Sequence, residues 1–175
     1  LLVEENHHPY IIQGTYSHQL KKIDAVNGKL VWNYNFGDVI KGTGSIWVNP
    51  NPDSLEEALI ITQGSRLGYG KYLDNPLVYS FRGVSYFSGK ELWRHNCRQT
   101  ASYSRDVDGS ALFINDTGYL AFENSYFTVF DPSVKRRIES DTIYKPQIYQ
   151  QILLYNDSDK VSHRGNLVSE SSPCL

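Results

Sequence analysis

Short apolar runs, each closed by a turn residue, alternate with polar breaks along most of the chain. Tyr10-Ile11-Ile12-Gln13-Gly14 is one such run; Leu20 to Asp24 leads into Asn27-Gly28, and Lys29 to Tyr34 leads out. Asn-Gly between apolar runs predicts a hairpin whose two turn residues tolerate positive φ. The next group is Ser45 to Val48, a break at Asn49-Pro50-Asn51-Pro52-Asp53, then Ala58 to Thr62 closed by Gln63-Gly64. After a Ser88-Gly89 turn comes Glu91-Leu92-Trp93. A third group runs Ser110 to Ile114, Asn115-Asp116-Thr117-Gly118, Tyr119 to Phe122 and Tyr126 to Asp131. Helical signal is confined to Asp53 to Ala58, where Asp53 or Ser54 can cap a single turn. The tail from Asn156 to Ser172 reads as loop with a strand at Asn166-Leu167-Val168, and residues 171–175 read as the start of one more strand.

Two stretches match in pattern: Ile23 to Trp32 and Val84 to Trp93. Each carries apolar residues into a Gly-Lys turn and out to a Trp. Repetition of this sort predicts an array of small β-units. Aligned on Asp24, Ser85 and Asp131, the units lie 61 and 46 residues apart, the second interval being near the ~40–50 residues of a four-stranded propeller blade. The excess in the first falls around Ser65 to Asn75, an inserted loop between the second and third strands of its unit. The third unit is degenerate: Pro132 and Arg136 stand where Ala25 and Lys29 stood, and Glu139 takes the place of the Trp.

Residues 24–32, Asp-Ala-Val-Asn-Gly-Lys-Leu-Val-Trp, resemble the blade signature of the PQQ-like (quinoprotein alcohol dehydrogenase-like) β-propellers, Asp-Ala-x-x-Gly-Lys-x-x-Trp. At 85–93 the Gly-Lys-x-x-Trp half matches, while Ser85-Tyr86 departs from Asp-Ala. The resemblance implies an all-β fold, a partial propeller of about four antiparallel four-stranded blades. The repeats fall around 1–37, 38–99 and 100–140, with 141–175 incomplete. It also implies that Trp32 and Trp93 dock neighbouring blades, with Gly28 and Gly89 making the turns. A buried Trp removes ~150–250 Å² from water and needs an acceptor for its indole N–H, which suits that role. An open fan leaves sheet edges and a blade face uncovered, so the expected partner is the remainder of its own propeller or another chain that closes the ring.

Composition narrows this picture only a little. A formal charge of −2 gives no pull toward nucleic acid, and no apolar run approaches the ~20 residues of a membrane helix. The aromatic share of 13% suits half-buried pleats. No Met occurs, so a processed or trimmed product is expected. Cys97 and Cys174 form no metal spacing and read as free thiols or as a disulfide.

Candidate chemistry is sparse. Asp106-Val107-Asp108-Gly109 resembles the start of a calcium loop, in which alternate carboxylates face one hard cation; the alternative is an Asp-Gly turn in which Arg105 pairs an Asp. The inserted loop offers Arg66, Tyr69, Lys71 and Tyr72, which with Arg105 are candidate contacts for a polar or protein ligand. Glu123-Asn124 follows a strand and reads as a turn. PQQ-dependent members of the resembled family hold their quinone with an adjacent-cysteine disulfide and calcium; no such Cys pair is present, and no cofactor is expected. His7, His8 and His18 do not form a shared metal set, since adjacent strand residues face opposite ways. The expected function is therefore a non-catalytic binding or scaffolding module of an extracytoplasmic protein, at the periplasm, cell surface or outside the cell. The alternative is part of a PQQ- and calcium-dependent dehydrogenase.

Overall fold

The computed structural model describes residues 1–66, 76–134, 138–140 (backbone), 143–164, 166–169 and 172–174. Three four-stranded antiparallel sheets carry it. Blade 1 is β1 (Leu2–Glu5), β2 (His8–Gly14), β3 (Gln19–Asp24) and β4 (Leu30–Asn35). Blade 2 is β5 (Ser45–Val48), β6 (Leu59–Gly64), β7 (Phe81–Ser85) and β8 (Glu91–His95), with a one-turn helix α1 (Leu55–Ala58) before β6. Blade 3 is β9 (Leu112–Ile114), β10 (Thr117–Ala121), β11 (Tyr126–Asp131) and, last in the chain, β14 (Gln147–Leu153). A hairpin of β12 (Ile138–Ser140) and β13 (Ile143–Lys145) stands between β11 and β14.

The all-β expectation holds, and so does the equivalence of residues 24–32 with 85–93. The Asp24 amide donates to Lys29 O and the Gly28 amide to Asp24 O, both at 2.9 Å; Ser85, Lys90 and Gly89 repeat the pair at 2.8 and 2.9 Å. Gly28 (φ 73°) and Gly89 (φ 76°) are the left-handed positions, whereas Asn27 is not among the positive-φ residues. The turn is thus longer than a two-residue Asn-Gly hairpin. Asp24 earns its place by accepting from the Val26 and Asn27 amides at 2.8 and 3.2 Å.

Four expectations change. Glu139 is not the Trp equivalent, and the boundary at 140/141 falls inside blade 3. Lys22 faces Trp32, Gly83 faces Trp93 and Val129 faces Gln150, each just before a register shift, so Gln150 holds that position. The β12–β13 hairpin, inserted between the third and fourth strands, displaces the equivalent position from Glu139. The tail is not all loop either: α2 (Asp157–His163) forms because Asn156 and Asp159 make a reciprocal capping box. Residues 172–174 are not in a strand.

Packing between blades makes the core. Ile12, Leu20, Trp32 and Phe36 of blade 1 and the segment after it meet Ile61, Val84 and Tyr86 of blade 2. Ile60, Phe81, Leu92 and Trp93 of blade 2 meet Leu120, Phe122 and Phe130 of blade 3.

Candidate functional site

Antiparallel order puts the turn between second and third strands at the same end of each blade as the segment leaving the fourth. The β6–β7 and β10–β11 connections therefore share one face with the segments 36–44 and 96–111 that link successive blades. Two backbone bonds repeat there: the Arg66 amide donates to Val39 O at 2.7 Å, and the Glu123 amide to Asp106 O at 3.2 Å. Val39 and Arg66 at the first junction thus correspond to Asp106 and Glu123 at the second. Only the second junction places carboxylates at these two positions.

Asp106, Asp108 and Glu123 come together, with one oxygen from each within 4.8 Å of the others. Lys41 Nζ lies 2.6 Å from Asp108 Oδ2 and 3.5 Å from Asp106 Oδ2. Arg66, 60% exposed at its side chain, reaches Asp106 at 3.8 Å from the rim. Glu123 is buried; Ser104 Oγ donates to its Oε2 at 2.6 Å, while Oε1 has no hydrogen-bond partner. Burial first, and then the charges of Asp106 and Asp108, push the Glu123 carboxyl up to about 7 against the Ser104 hydrogen bond. Asp38, also buried, is raised by burial despite accepting from Ser65 Oγ at 2.8 Å. For Lys41, burial alone would lower the ammonium, but the Asp108 hydrogen bond and charge outweigh it and raise it. The arrangement can hold a cation between three carboxylates.

Asp106 and Asp108, singled out from the sequence, are in this cluster; Glu123 was read as a turn residue, and Lys41 was not singled out. The turn reading was right for its backbone, and nothing in linear spacing reveals that a turn in blade 3 meets a segment leaving blade 2. Arg105, expected as a ligand contact, is buried at 1% exposure and donates to Cys97 O at 2.7 Å and to Pro76 O at 3.3 Å. It ties the segment 96–105 to the chain before β7. Tyr69, Lys71 and Tyr72 lie outside the described residues. Both cysteines are free, Cys97 buried and Cys174 exposed. Trp32 is buried and donates through Nε1 to Tyr86 O at 2.8 Å, in blade 2; Trp93 donates to Pro132 O at 3.0 Å, in blade 3. Among the described residues no helix is long and apolar enough to cross a membrane.

No family model and no curated protein matches the sequence. Among solved structures, the chain is similar to a quinohemoprotein alcohol dehydrogenase from Pseudomonas putida HK5, with a TM-score of 0.50 and 12% identity. That match covers 75% of this chain and 18% of the dehydrogenase. BamB from Moraxella catarrhalis is matched with a TM-score of 0.28 and 15% identity, over 74% of this chain and 48% of BamB. The chain thus spans a minor part of the first protein and about half of the second. The likeness to the dehydrogenase is one of fold: the three sheets are blades of a propeller.

Proposed function

We propose that the chain is a non-catalytic propeller module of an extracytoplasmic protein, working as a binding scaffold whose end faces dock further blades. One observation carries the reading. In blade 2 the row Ile46–Ile61–Val84 crosses three strands in register, and Ile61 and Val84 are fully buried against blade 1. The same three-strand row in blade 1 is Leu2–Ile11–Ile23, continued on the fourth strand by Leu30 where blade 2 has Glu91. Here Leu2 is 74% and Leu30 56% exposed. A row built like a blade interface, with its ends in water and Ile23 half-buried, is a docking surface for another such blade, on the same polypeptide or on another chain.

Substitution in the full-length protein tests this. Ile11→Lys with Ile23→Lys costs at least ~2 kcal/mol if the row is covered, since two aliphatic side chains are lost and charges buried. Val26→Lys, in the exposed turn, stays within ~0.5 kcal/mol as an ordinary surface change. Chemical denaturation reads both. Indifference of the double variant would refute the scaffold reading.

A further inference from the structure

We propose that Asp106, Asp108 and Glu123 form a calcium site that fastens the segment entering blade 3 to that blade's own β10–β11 turn. Geometry comes first. Oxygens bound to one calcium at ~2.4 Å cannot lie more than about 4.8 Å apart, and the three carboxylates meet that limit. The ligand set is all oxygen, which suits a hard cation over metals that prefer thiolate or imidazole.

The second observation is independent of the clustering. Glu123 is only 4% exposed, yet its Oε1 has no hydrogen-bond partner; the buried Asp108 Oδ1 also has none. A buried, unpaired carboxylate oxygen is costly to keep. A divalent ion reached by Glu123 and Asp108 together satisfies both oxygens. Among the described residues Lys41 provides the nearest positive charge, but it meets Asp108 closely and Asp106 only at 3.5 Å. Calcium would therefore compete with the Lys41 ammonium for Asp108. The first junction carries Val39 and Arg66 in place of Asp106 and Glu123, so the backbone contact itself has no need of acidic residues.

The test is calorimetric titration of the chelator-stripped, intact protein with CaCl2 at a pH of about 8, where free carboxyls are ionised, alongside thermal melts. One saturable site is expected, with a Kd on the order of 10⁻⁵ to 10⁻³ M, and a raised melting temperature. Glu123→Gln still accepts the Ser104 hydroxyl but loses the charge, and weakens binding at least tenfold; Asp108→Asn does the same. Lys41→Met removes the competitor and tightens binding several-fold. MgCl2, whose shorter bonds and strict octahedron suit the cluster less well, binds more weakly. The proposal is overturned if neither wild type nor Lys41→Met gives saturable heat or a melting shift up to about 10 mM calcium. It is also overturned if Glu123→Gln keeps wild-type affinity or if magnesium binds as tightly. A binding scaffold without calcium would still pass the docking-row test, so the two failures are distinguishable.

Discussion

At the junction of blades 1 and 2, Trp32 donates to Tyr86 O; at the junction of blades 2 and 3, Trp93 donates to Pro132 O. Tyr86 and Pro132 each follow the residue that opens the third-to-fourth-strand connection, Ser85 and Asp131, so the two bonds are equivalent. Around them the materials differ. The first junction buries charge: Lys22, 3% exposed, holds Glu5 at 3.0 Å and lies 3.6 Å from the Tyr86 ring centre. Beside it Arg82 donates to Tyr34 Oη at 2.9 Å, and Tyr34 hydrogen-bonds Glu91. The second junction is aromatic. Phe81 lies 5.3 to 5.4 Å from Trp93, Phe122 and Phe130, in tilted and edge-on geometry. A backbone carbonyl is available whatever the side chain, Pro included, so the indole bond survives where the rest of the repeat has drifted.

The aromatic junction should be the more sensitive to truncation. Trp93→Ala or Phe130→Ala is expected to cost ~3–5 kcal/mol, the usual range for a fully buried aromatic. Trp32, 9% exposed, should cost less, about 2–4 kcal/mol. Denaturation midpoints at constant m-value read the difference. A larger loss for Trp32 than for Trp93 would reverse the ranking.

Space for each indole comes from a different glycine. A Cβ on Gly83 would stand 2.2 Å from the Trp93 ring, within the same blade. A Cβ on Gly89 would stand 2.7 Å from the Trp32 ring, across the junction, at φ 76°. Opposite Trp32 the residue is Lys22, not glycine, so the first indole is accommodated by the next blade's turn. Gly83→Ala is therefore expected to cost ~2–3 kcal/mol by overpacking, and Gly89→Ala ~1–2 kcal/mol from overpacking and left-handed strain. Adding Trp93→Phe to Gly83→Ala should recover part of the first loss and none of the second. Additive losses would remove the steric account.

This contrast marks how far the sequence could be read. The Gly-Lys-x-x-Trp repeat named both indoles and the turn glycines, and the apolar runs marked most strands from β2 to β11, because each rests on local periodicity or turn chemistry. It missed β1, whose Leu2-Val3-Glu4-Glu5 shows no apolar–polar alternation, and the β12–β13 insertion, which moved the Trp position from Glu139 to Gln150. The carboxylate cluster was half legible. Asp106 and Asp108 announce themselves by alternation, while Glu123 and Lys41 join them only through the packing of two linkers and a turn far apart in the chain. Arg105 was misplaced for the same reason: nothing local distinguishes a guanidinium serving buried carbonyls from one facing solvent.

The charged junction can be probed without touching an indole. Removing Glu5 leaves Lys22 buried without its carboxylate, which is destabilising, whereas replacing the lysine by an apolar residue of similar length removes the burden altogether. Glu5 is partly exposed, so Glu5→Gln is expected to cost about 1–2 kcal/mol rather than the full cost of a deeply buried pair. Lys22→Met should be close to neutral. In the Lys22→Met background, Glu5→Gln should then cost nothing, the coupling being read from the double-mutant cycle. Equal costs for Glu5→Gln in both backgrounds would show that the pair does not hold the junction.

Acid should weaken the aromatic junction through His95. Its ring lies 5.4 Å from Phe122, and its Nε2 is buried with no hydrogen-bond partner. Burial, aided by the positive charges of Arg98 and Lys145, lowers it from 6.5 to about 4. The unfolded chain therefore takes up the His95 proton before the folded one does. Its contribution is fully present above the unfolded value of about 6.5 and is lost as pH falls toward about 4, where the folded form also protonates. Glu123, raised to about 7, acts with the opposite sign across part of this window, so the wild-type profile alone is not diagnostic. The informative quantity is the difference between wild type and His95→Phe at each pH. That difference should shift in favour of the variant by about 1 kcal/mol between pH 7 and pH 5.5, and a flat difference would clear His95 of any part in acid sensitivity.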